Sequence, residues 1–214
     1  MIDSNFIKNS KLSIQNVSRE TLDELNKYSL SIIKKNREIN LISSSTEKSI
    51  NTRHIVDSAQ IIDFINKNDV KVCTDLGSGA GLPGIVLAIL MKPKKPEFKV
   101  IFYEKSFHKS NFLKEISKKF KLNTEINQKN IFEQKDLQTD IIVSRAFKPL
   151  PVIFEIASNN FKKFKYIILF LGKSGREILK EASKKWKFVY EEKKSLTSEE
   201  SLVVKISNLQ KKNG

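Results

Sequence analysis

A glycine-rich stretch joins two apolar segments near the middle of this chain. It reads TDLGSGAGLPGIVLAIL, from Thr74 to Leu90, and holds four of the seven glycines among 214 residues. Glycines let a backbone turn tightly and let a ligand approach it without meeting side chains. The stretch therefore predicts a strand, a turn and a helix with a binding site at the turn, although such turns also occur without a ligand.

Short apolar runs alternate with helical patterns around this turn. The runs are VKVCTDL, FKVIFYE, LNTEIN, DIIVSR and YIILFL. Helices are expected between and after them, near residues 83–91, 107–119, 149–161 and 174–184. This alternation indicates a doubly wound α/β fold, with a mostly parallel sheet covered by helices on both faces. WKFVYEEKK and SLVVKIS predict an antiparallel pair of strands at the end of the chain.

The first part of the chain has a helical pattern. Two residue pairs have the spacing of a capping box and predict helix starts, namely Thr21 with Glu24 and Ser44 with Glu47. The second helix is expected to bury apolar residues on one side, namely Ile50, Ile61, Ile62 and Ile65. We expect residues 1–66 to form a helical N-terminal extension that packs on an α/β core of residues 67–214.

Composition limits the classes of protein to which the chain can belong. No apolar run approaches the roughly 20 residues of a membrane span, and the first residues lack the pattern of a signal peptide. The single cysteine, Cys73, excludes an internal disulfide and a cysteine-based metal cluster. We therefore expect a cytoplasmic protein without a metal, in which Cys73 is a small buried apolar side chain.

The chain carries a formal net charge of +15, from 39 basic and 24 acidic residues. Such an excess predicts attraction to a polyanion such as nucleic acid. Nearly all of it comes from lysine, which AT-rich coding can also enrich and which solvent satisfies without a partner. The charge alone leaves both interpretations open.

The glycines can be read in two frames, and each frame predicts a different ligand. Gly79, Gly81 and Gly84 match the dinucleotide pattern G-x-G-x-x-G, but that match begins after the turn has started. Asp75 followed by glycines at 77, 79 and 81 resembles motif I of the class I methyltransferases, which binds S-adenosylmethionine. No Gly-Lys-Ser/Thr follows at the spacing of a P-loop, so a P-loop protein that binds a nucleoside triphosphate is excluded.

Glu104 stands at the end of the second predicted strand. A carboxylate there can accept hydrogen bonds from both ribose hydroxyls of a nucleoside ligand. It fits a nicotinamide dinucleotide as well as S-adenosylmethionine, and an exposed acid at a strand end would look the same. A nicotinamide oxidoreductase therefore stays an alternative, as does an RNA-binding module without catalysis.

Several stretches together give a closer resemblance. In chain order they are Asn40-Leu41, RHIVDS at 53–58, DLGSGAGLPGIVLAI at 75–89, SRAF at 144–147 and Lys173-Ser174-Gly175. With these stretches the chain is similar to the guanine-N7 methyltransferases of bacterial 16S rRNA, the RsmG/GidB family. The resemblance spans residues 40–175 and implies a class I methyltransferase with a Rossmann-like sheet.

The resemblance implies transfer of a methyl group from S-adenosylmethionine to N7 of a guanine in the decoding-region loop of 16S rRNA. The implied cofactor-binding residues are Gly77, Gly79, Leu82, Glu104, Asn130, Ile131 and Arg145. Arg145 is also the implied catalytic residue, because it would face both the donor and the target base. The implied RNA-binding residues are Arg53, His54, Lys109, Phe147 and Lys173. The expected partner is 16S rRNA or the small ribosomal subunit, bound by a monomer without any membrane.

The chemistry of the chain agrees with guanine N7 as the target atom. The Asn/Asp-Pro-Pro-aromatic loop that is usual for methylation of exocyclic amines is absent, and Ser144-Arg145-Ala146-Phe147 stands in its place. Methylation of pyrimidine C5 in RNA needs a cysteine nucleophile in the cleft, whereas Cys73 lies inside a predicted strand. N7 carries a lone pair and no proton, so no general base is expected and catalysis becomes positioning.

Some of these residues also have a purely structural interpretation. Arg145 could form a salt bridge within the protein, and Phe147 could be a core ring. Arg53 and Asp57 are one helical turn apart and could pair with each other. His54 fits a packing role as well as an RNA contact, and we do not expect it to act as a base.

Overall fold

A seven-stranded sheet forms the centre of the computed structural model, which describes residues 17–66 and 69–212. In chain order the strands are β1 (Val72–Leu76), β2 (Lys99–Tyr103), β3 (Thr124–Asn127), β4 (Leu137–Gln138), β5 (Ile141–Arg145), β6 (Phe161–Lys163), β7 (Tyr166–Leu171), β8 (Trp186–Lys194) and β9 (Leu202–Lys211). The large sheet has the order β3-β2-β1-β5-β7-β9-β8, while β4 and β6 form a separate two-stranded sheet.

The strand pairing confirms the predicted fold class. Strands β3, β2, β1, β5 and β7 are parallel to one another, and β9 is antiparallel to both β7 and β8. All five predicted parallel strands and the antiparallel C-terminal pair are present. Sequence analysis did not predict β4 and β6, because segments of two and three residues are too short to show a periodic pattern.

The helices of the core lie where the sequence predicts them. The α-helices of the described residues are α1 (Arg19–Asn36), α2 (Asp57–Ala59), α3 (Ile62–Asn66), α4 (Gly84–Met91), α5 (Phe107–Lys119), α6 (Leu150–Asn160) and α7 (Gly175–Lys185). The last four begin and end within one residue of the predicted ranges. None of the helices in the described part of the chain is long and apolar enough to cross a membrane.

Two apolar clusters cover the two faces of the sheet. Along β5, Ile141 and Val143 belong to one cluster and Ile142 to the other, as the alternation of side chains across a strand requires. All eight residues of α4 are buried, because this helix packs between the sheet and the N-terminal helices. Cys73 is buried in the first cluster, as predicted.

Both predicted capping boxes are wrong. Helix α1 begins before Thr21, because Ser18 is its N-cap and accepts a hydrogen bond from the Thr21 N–H. The second segment is preceded by Ser43, whose side chain caps nothing. Glu47 instead accepts a hydrogen bond from Asn36 Nδ2 at 2.6 Å, so its carboxylate binds α1 rather than its own helix start.

The single helix expected after residue 44 is also wrong. The chain forms a 3₁₀-helix at Ser44–Ser49, a π-helical segment at Asn51–Val56, and then α2 and α3. The four isoleucines predicted to be buried are buried nevertheless, namely Ile50, Ile61, Ile62 and Ile65. The apolar pattern therefore predicted which side faces the core, but it did not reveal the changes in helical geometry.

Tyr28 links helix α1 to the glycine-rich turn. Its side chain is fully buried, and its hydroxyl donates to the Ala80 carbonyl at 2.8 Å. Ala80 lies between Gly79 and Gly81 in the turn. The N-terminal extension therefore helps to fix the shape of the turn that follows β1.

We expect Tyr28→Phe to loosen this turn, because the buried Ala80 carbonyl would lose its donor. The free energy of unfolding should fall by about 1–3 kcal/mol, and amide hydrogen exchange at residues 77–81 should become faster. Tyr166→Phe is the matched control, since Tyr166 also donates to a backbone carbonyl, that of Phe64, at 2.8 Å. The control should lose similar stability but leave exchange in the turn unchanged. Equal exchange in both variants would contradict the link.

Candidate functional site

A cavity of about 730 Å³ opens at the carboxyl ends of β1, β2 and β5. Ten of the predicted site residues line it, namely His54, Gly77, Gly79, Leu82, Glu104, Lys109, Asn130, Ile131, Arg145 and Phe147. Arg53 lines a neighbouring cavity instead. Lys173 lines neither of these two cavities, and its side chain is 80% exposed and paired with Glu200. The structure thus gathers most of the predicted residues at one edge of the sheet.

Gly79 is the glycine of the turn at which a side chain would meet open space. A β-carbon at Gly79 would meet only the Gly77 carbonyl oxygen, at 3.9 Å. A β-carbon at Gly77, Gly81 or Gly84 would lie less than 3.0 Å from packed side chains. Gly79 also has a φ of +55°, in the left-handed region that other residues avoid. Three of the glycines therefore make room for packing, whereas Gly79 leaves open space beside the cavity.

Phe147 of the SRAF stretch packs against this turn. A β-carbon at Gly77 would lie 2.0 Å from the Phe147 ring, so the ring rests directly on the glycine backbone. Phe147 is half-buried, packs against the second apolar cluster and also lines the cavity. It therefore has both the core role and the cavity position that the sequence left open.

Two carboxylates, those of Asp75 and Glu104, accept hydrogen bonds from backbone N–H groups of the glycine-rich turn. Asp75 is fully buried, and its Oδ2 accepts from the Gly84 N–H at 2.8 Å, while its Oδ1 has no hydrogen-bond partner among the described residues. Burial raises the pKa of Asp75 to about 7, helped by the charge of Glu104 and opposed by the Gly84 hydrogen bond. Glu104 accepts from the N–H groups of Gly79 and Ser106, one on each oxygen, at 2.9 and 2.8 Å. Each Glu104 oxygen keeps a lone pair for a ligand hydroxyl.

Arg145 leaves the end of β5 and is held by the RHIVDS segment. Its Nη2 donates to the Arg53 carbonyl at 3.2 Å and to His54 Nδ1 at 2.6 Å. Its Nη1 lies 3.6 Å from Asp57 Oδ2 and 3.5 Å from Ser58 Oγ. The side chain is 17% exposed, so this internal salt bridge is well shielded from water. The alternative in which Arg53 pairs with Asp57 is not the one found, because Asp57 pairs with Arg145.

Asp57 also ties the RHIVDS segment to the loop between β8 and β9. Its Oδ1 accepts from Thr197 Oγ1 at 2.7 Å and from Ser195 Oγ at 3.1 Å. Gln60 donates to the same oxygen at 2.8 Å and accepts from the Leu196 N–H at 2.9 Å. The segment is therefore a junction between the end of β5 and the β8–β9 loop, a role that sequence analysis did not predict.

His54 connects Arg145 to the N-terminal extension as a neutral side chain. A guanidinium can only donate, so His54 Nδ1 accepts and the ring proton lies on Nε2. Nε2 then donates to Thr46 Oγ1 at 2.8 Å, and the Thr46 hydroxyl donates to the Ser43 carbonyl at 2.8 Å. Burial, together with the charges of Arg145 and Arg53, lowers the pKa of His54 to about 4.

Sequence analysis missed the part of the cavity wall that comes from the N-terminal extension. Leu41, Ile42 and Ser43 line the cavity. Asn36 Oδ1 holds this segment in place by accepting from the N–H groups of Leu41 and Ile42, at 2.7 and 2.9 Å. The Asn40-Leu41 pair marked the segment through the resemblance, but no periodic pattern indicated that it would reach the site.

The rim of the cavity is basic. Four lysines line it, namely Lys105, Lys109, Lys129 and Lys148, together with the exposed ring of Phe132. Three of these lysines follow strand ends, and the ends of parallel strands meet at one edge of a sheet. Sequence analysis named only Lys109, because single lysines carry no signal in a chain so rich in lysine.

The stability of the protein should depend on the protonation of His54. Between pH 6.5, the ordinary pKa of histidine, and about 4, the unfolded chain binds a proton that the folded protein excludes. Stability should therefore fall as the pH decreases, by about 2 kcal/mol at pH 5 from this group. His54→Gln lacks the titration, so its stability deficit relative to the unmodified protein should shrink between pH 7 and pH 5 in urea unfolding. Asp75 titrates in the opposite sense in both proteins and cancels, and a constant deficit would refute the assignment.

Comparison with known proteins places the chain in a family. A family profile described as GidB, rRNA small subunit methyltransferase G, matches residues 21–204. The protein named ribosomal RNA small subunit methyltransferase G of Pelagibacter ubique is 48% identical over 204 residues, which cover 94% of this chain and 95% of that protein. The protein of the same name from Ruegeria pomeroyi is 33% identical over 194 residues, covering 91% and 94%.

The likeness extends to a solved structure. A SAM dependent methyltransferase from Aquifex aeolicus has a TM-score of 0.56 and 16% identity, covering 77% of this chain and 98% of that one. At this identity the likeness concerns the fold, and it agrees with the strand order described above. The prediction of an S-adenosylmethionine-dependent methyltransferase is thus confirmed at the level of family and fold. This chain belongs to the rRNA small subunit methyltransferase G family.

Proposed function

We propose that this rRNA methyltransferase transfers a methyl group from S-adenosylmethionine to N7 of a guanine in the decoding-region loop of 16S rRNA. The observation that carries the proposal is one cavity in which the bare Gly79, the Glu104 carboxylate and a rim of lysines converge. The rim places lysines at the cavity, which supports attraction to RNA as the interpretation of the net charge of +15. The protein would act in the cytoplasm on rRNA or on the small subunit.

The residues of the cavity fit the methyl donor. Gly79 leaves its side of the wall open, and the two Glu104 oxygens can each accept one ribose hydroxyl. We assign further contacts with the donor to wall residues that lie beside them, namely Gly77, Leu82, Asn130, Ile131 and Arg145. When bound, S-adenosylmethionine supplies a methyl group on a cationic sulfur, which leaves as a neutral thioether with the electron pair of the broken bond.

The chain itself needs to position the reactants but not to move a proton. Guanine N7 uses its lone pair to form the new bond, and the positive charge passes to the base. His54 cannot serve as a base at neutral pH, because Arg145 occupies its only ring lone pair and its pKa is about 4. Alignment of nucleophile and methyl group can lower the barrier by about 7–11 kcal/mol. The missing base is therefore consistent with N7 as the target.

The role of Arg145 becomes more specific in this proposal. Both of its Nη atoms already bind the RHIVDS segment, so it cannot grip guanine with two hydrogen bonds without giving up these partners. We assign it the task of holding the wall next to the target base. Lys109 and Phe147 lie on the cavity surface and are the proposed RNA contacts there. His54 instead accepts a hydrogen bond from Arg145 and holds its side chain in place.

Substitution of Gly79 tests the donor site. Gly79→Leu should abolish measurable binding of S-adenosylhomocysteine in calorimetry, because the side chain would enter the open part of the cavity. Gly79→Asn separates an effect on binding from an effect on stability. Asparagine tolerates positive φ, but its side chain still fills the same space. Both variants should remain folded by circular dichroism, and the unmodified protein should bind S-adenosylhomocysteine in preference to NAD. Normal affinity in the two folded variants would remove Gly79 from the site.

A substrate lacking the nucleophile tests the target atom. Replacing the target guanine by 7-deazaguanine exchanges N7 for C–H and preserves the shape and pairing edge of the base. Methyl transfer should disappear with this RNA while binding of the RNA persists. Nucleoside mass spectrometry would detect any transfer as the added mass of one CH₂ group. Continued methylation would shift the proposal to another position of the nucleoside.

A further inference from the structure

We propose that a second cavity, of about 340 Å³, holds the target nucleoside. It lies beside the cavity assigned above to S-adenosylmethionine, which we call the donor cavity. The proposal rests on the function proposed above and adds the place where the RNA base binds. The two cavities share three residues, namely His54, Arg145 and Ala146. A base in the second cavity would therefore lie against the same wall as a ligand in the first.

The position of this cavity in the fold suits a substrate site. It lies at the carboxyl ends of β5 and β7, with Leu171 and Gly172 on one side and the β8–β9 loop on the other. Ligands of doubly wound sheets bind beyond the carboxyl ends of the strands. An RNA base can reach such a cavity when it is splayed out of a loop, and enzymes that modify bases take them out of the stack.

The lining has the chemistry that a nucleobase requires. Phe170, Leu171 and Leu202 supply apolar surface for the faces of a flat ring. Hydroxyl oxygens surround this surface and can accept hydrogen bonds from the edges of the base, namely those of Thr46, Thr197, Ser198 and Ser201. The Ser198 hydroxyl, which accepts from Ser201, can also donate. The lining also contains the charged residues Arg53, Asp57 and Arg145, so a nucleotide with a flat base and an anionic phosphate matches it.

Arg53 lies on the same cavity and completes the nucleotide site. Its exposed Nη1 is 3.5 Å from the Thr197 carbonyl oxygen, and its guanidinium has further donors for a phosphate. The predicted RNA contact of Arg53 thus belongs to the second cavity rather than to the donor cavity. Phosphate contacts of this kind position a nucleic acid without reading its sequence.

The wall between the two cavities contains a strained residue. Ala146 has a φ of +51°, in the left-handed region that alanine rarely adopts. Strain of this kind is maintained at functional sites by the surrounding contacts, here the grip on Arg145 and the packing of Phe147 on Gly77. Ala146 also presents the smallest side chain of the shared wall, which leaves the least bulk between a base and the donor cavity.

Gly172 offers a way to fill the second cavity without disturbing the fold. It lines the cavity, its φ lies outside the left-handed region, and a β-carbon built on it meets no atom within 4 Å. We expect Gly172→Leu to lower methyl transfer to small-subunit rRNA at least about 10-fold while the affinity for S-adenosylhomocysteine stays unchanged. Gly172→Ala should have a smaller effect. Ser174→Leu adds the same side chain to the same exposed turn, outside the cavity lining, and should behave like the unmodified protein.

The readouts separate this inference from the proposed function. Total transfer of radiolabelled methyl groups to rRNA tests the cavity, and mapping of the methylated atom tests the N7 assignment. Loss of transfer in Gly172→Leu supports the cavity even if the atom proves not to be N7. Undiminished transfer in Gly172→Leu overturns the inference and leaves the N7 proposal standing. A parallel loss of S-adenosylhomocysteine affinity also overturns it, because the cavity would then belong to the donor site.

Discussion

The grip of the RHIVDS segment on Arg145 is the interaction on which the site depends. A shielded guanidinium is stable only when its charge and donors are satisfied, and here Asp57, His54 and the Arg53 carbonyl satisfy them. The partners come from the N-terminal extension, whereas Arg145 ends β5 of the core. Asp57 reaches on to the β8–β9 loop. The shielded Arg145 guanidinium therefore joins three parts of the chain. His54 must stay neutral, because only a neutral ring can accept the hydrogen bond from Arg145.

This arrangement agrees with the proposed transfer to guanine N7, which needs no proton carrier. Arg145, His54 and Asp57 are engaged with one another and with the chain around them, so in the proposed function the protein contributes shape, charge and alignment. The donor cavity lies on one side of the shared wall and the proposed base cavity on the other. A rigid wall would keep the two proposed ligands at a constant separation, which is the positioning that the proposed attack by a free lone pair requires.

The sequence predicted the fold better than it predicted the site. Strands and core helices follow from local periodicity, so their bounds were nearly right. Gly79 and Glu104 line one cavity because strand ends converge on one edge of a parallel sheet. The contact of His54 with Arg145 joins residues 91 positions apart, and no local pattern contains that information. The capping errors have a similar cause, because Glu47 bonds to α1 instead of its own helix start.

Three of the stretches that carried the family resemblance contact one another in the fold. Phe147 of SRAF rests on Gly77 of the glycine turn, and Arg145 of SRAF is held by RHIVDS. Asn36 fixes the backbone of Leu41, and this segment closes the donor cavity. A side chain at Gly77 would collide with Phe147 whether or not a ligand were present. Much of what reads as a ligand motif is therefore a packing requirement, and within the turn it is Gly79 that leaves open space beside the cavity.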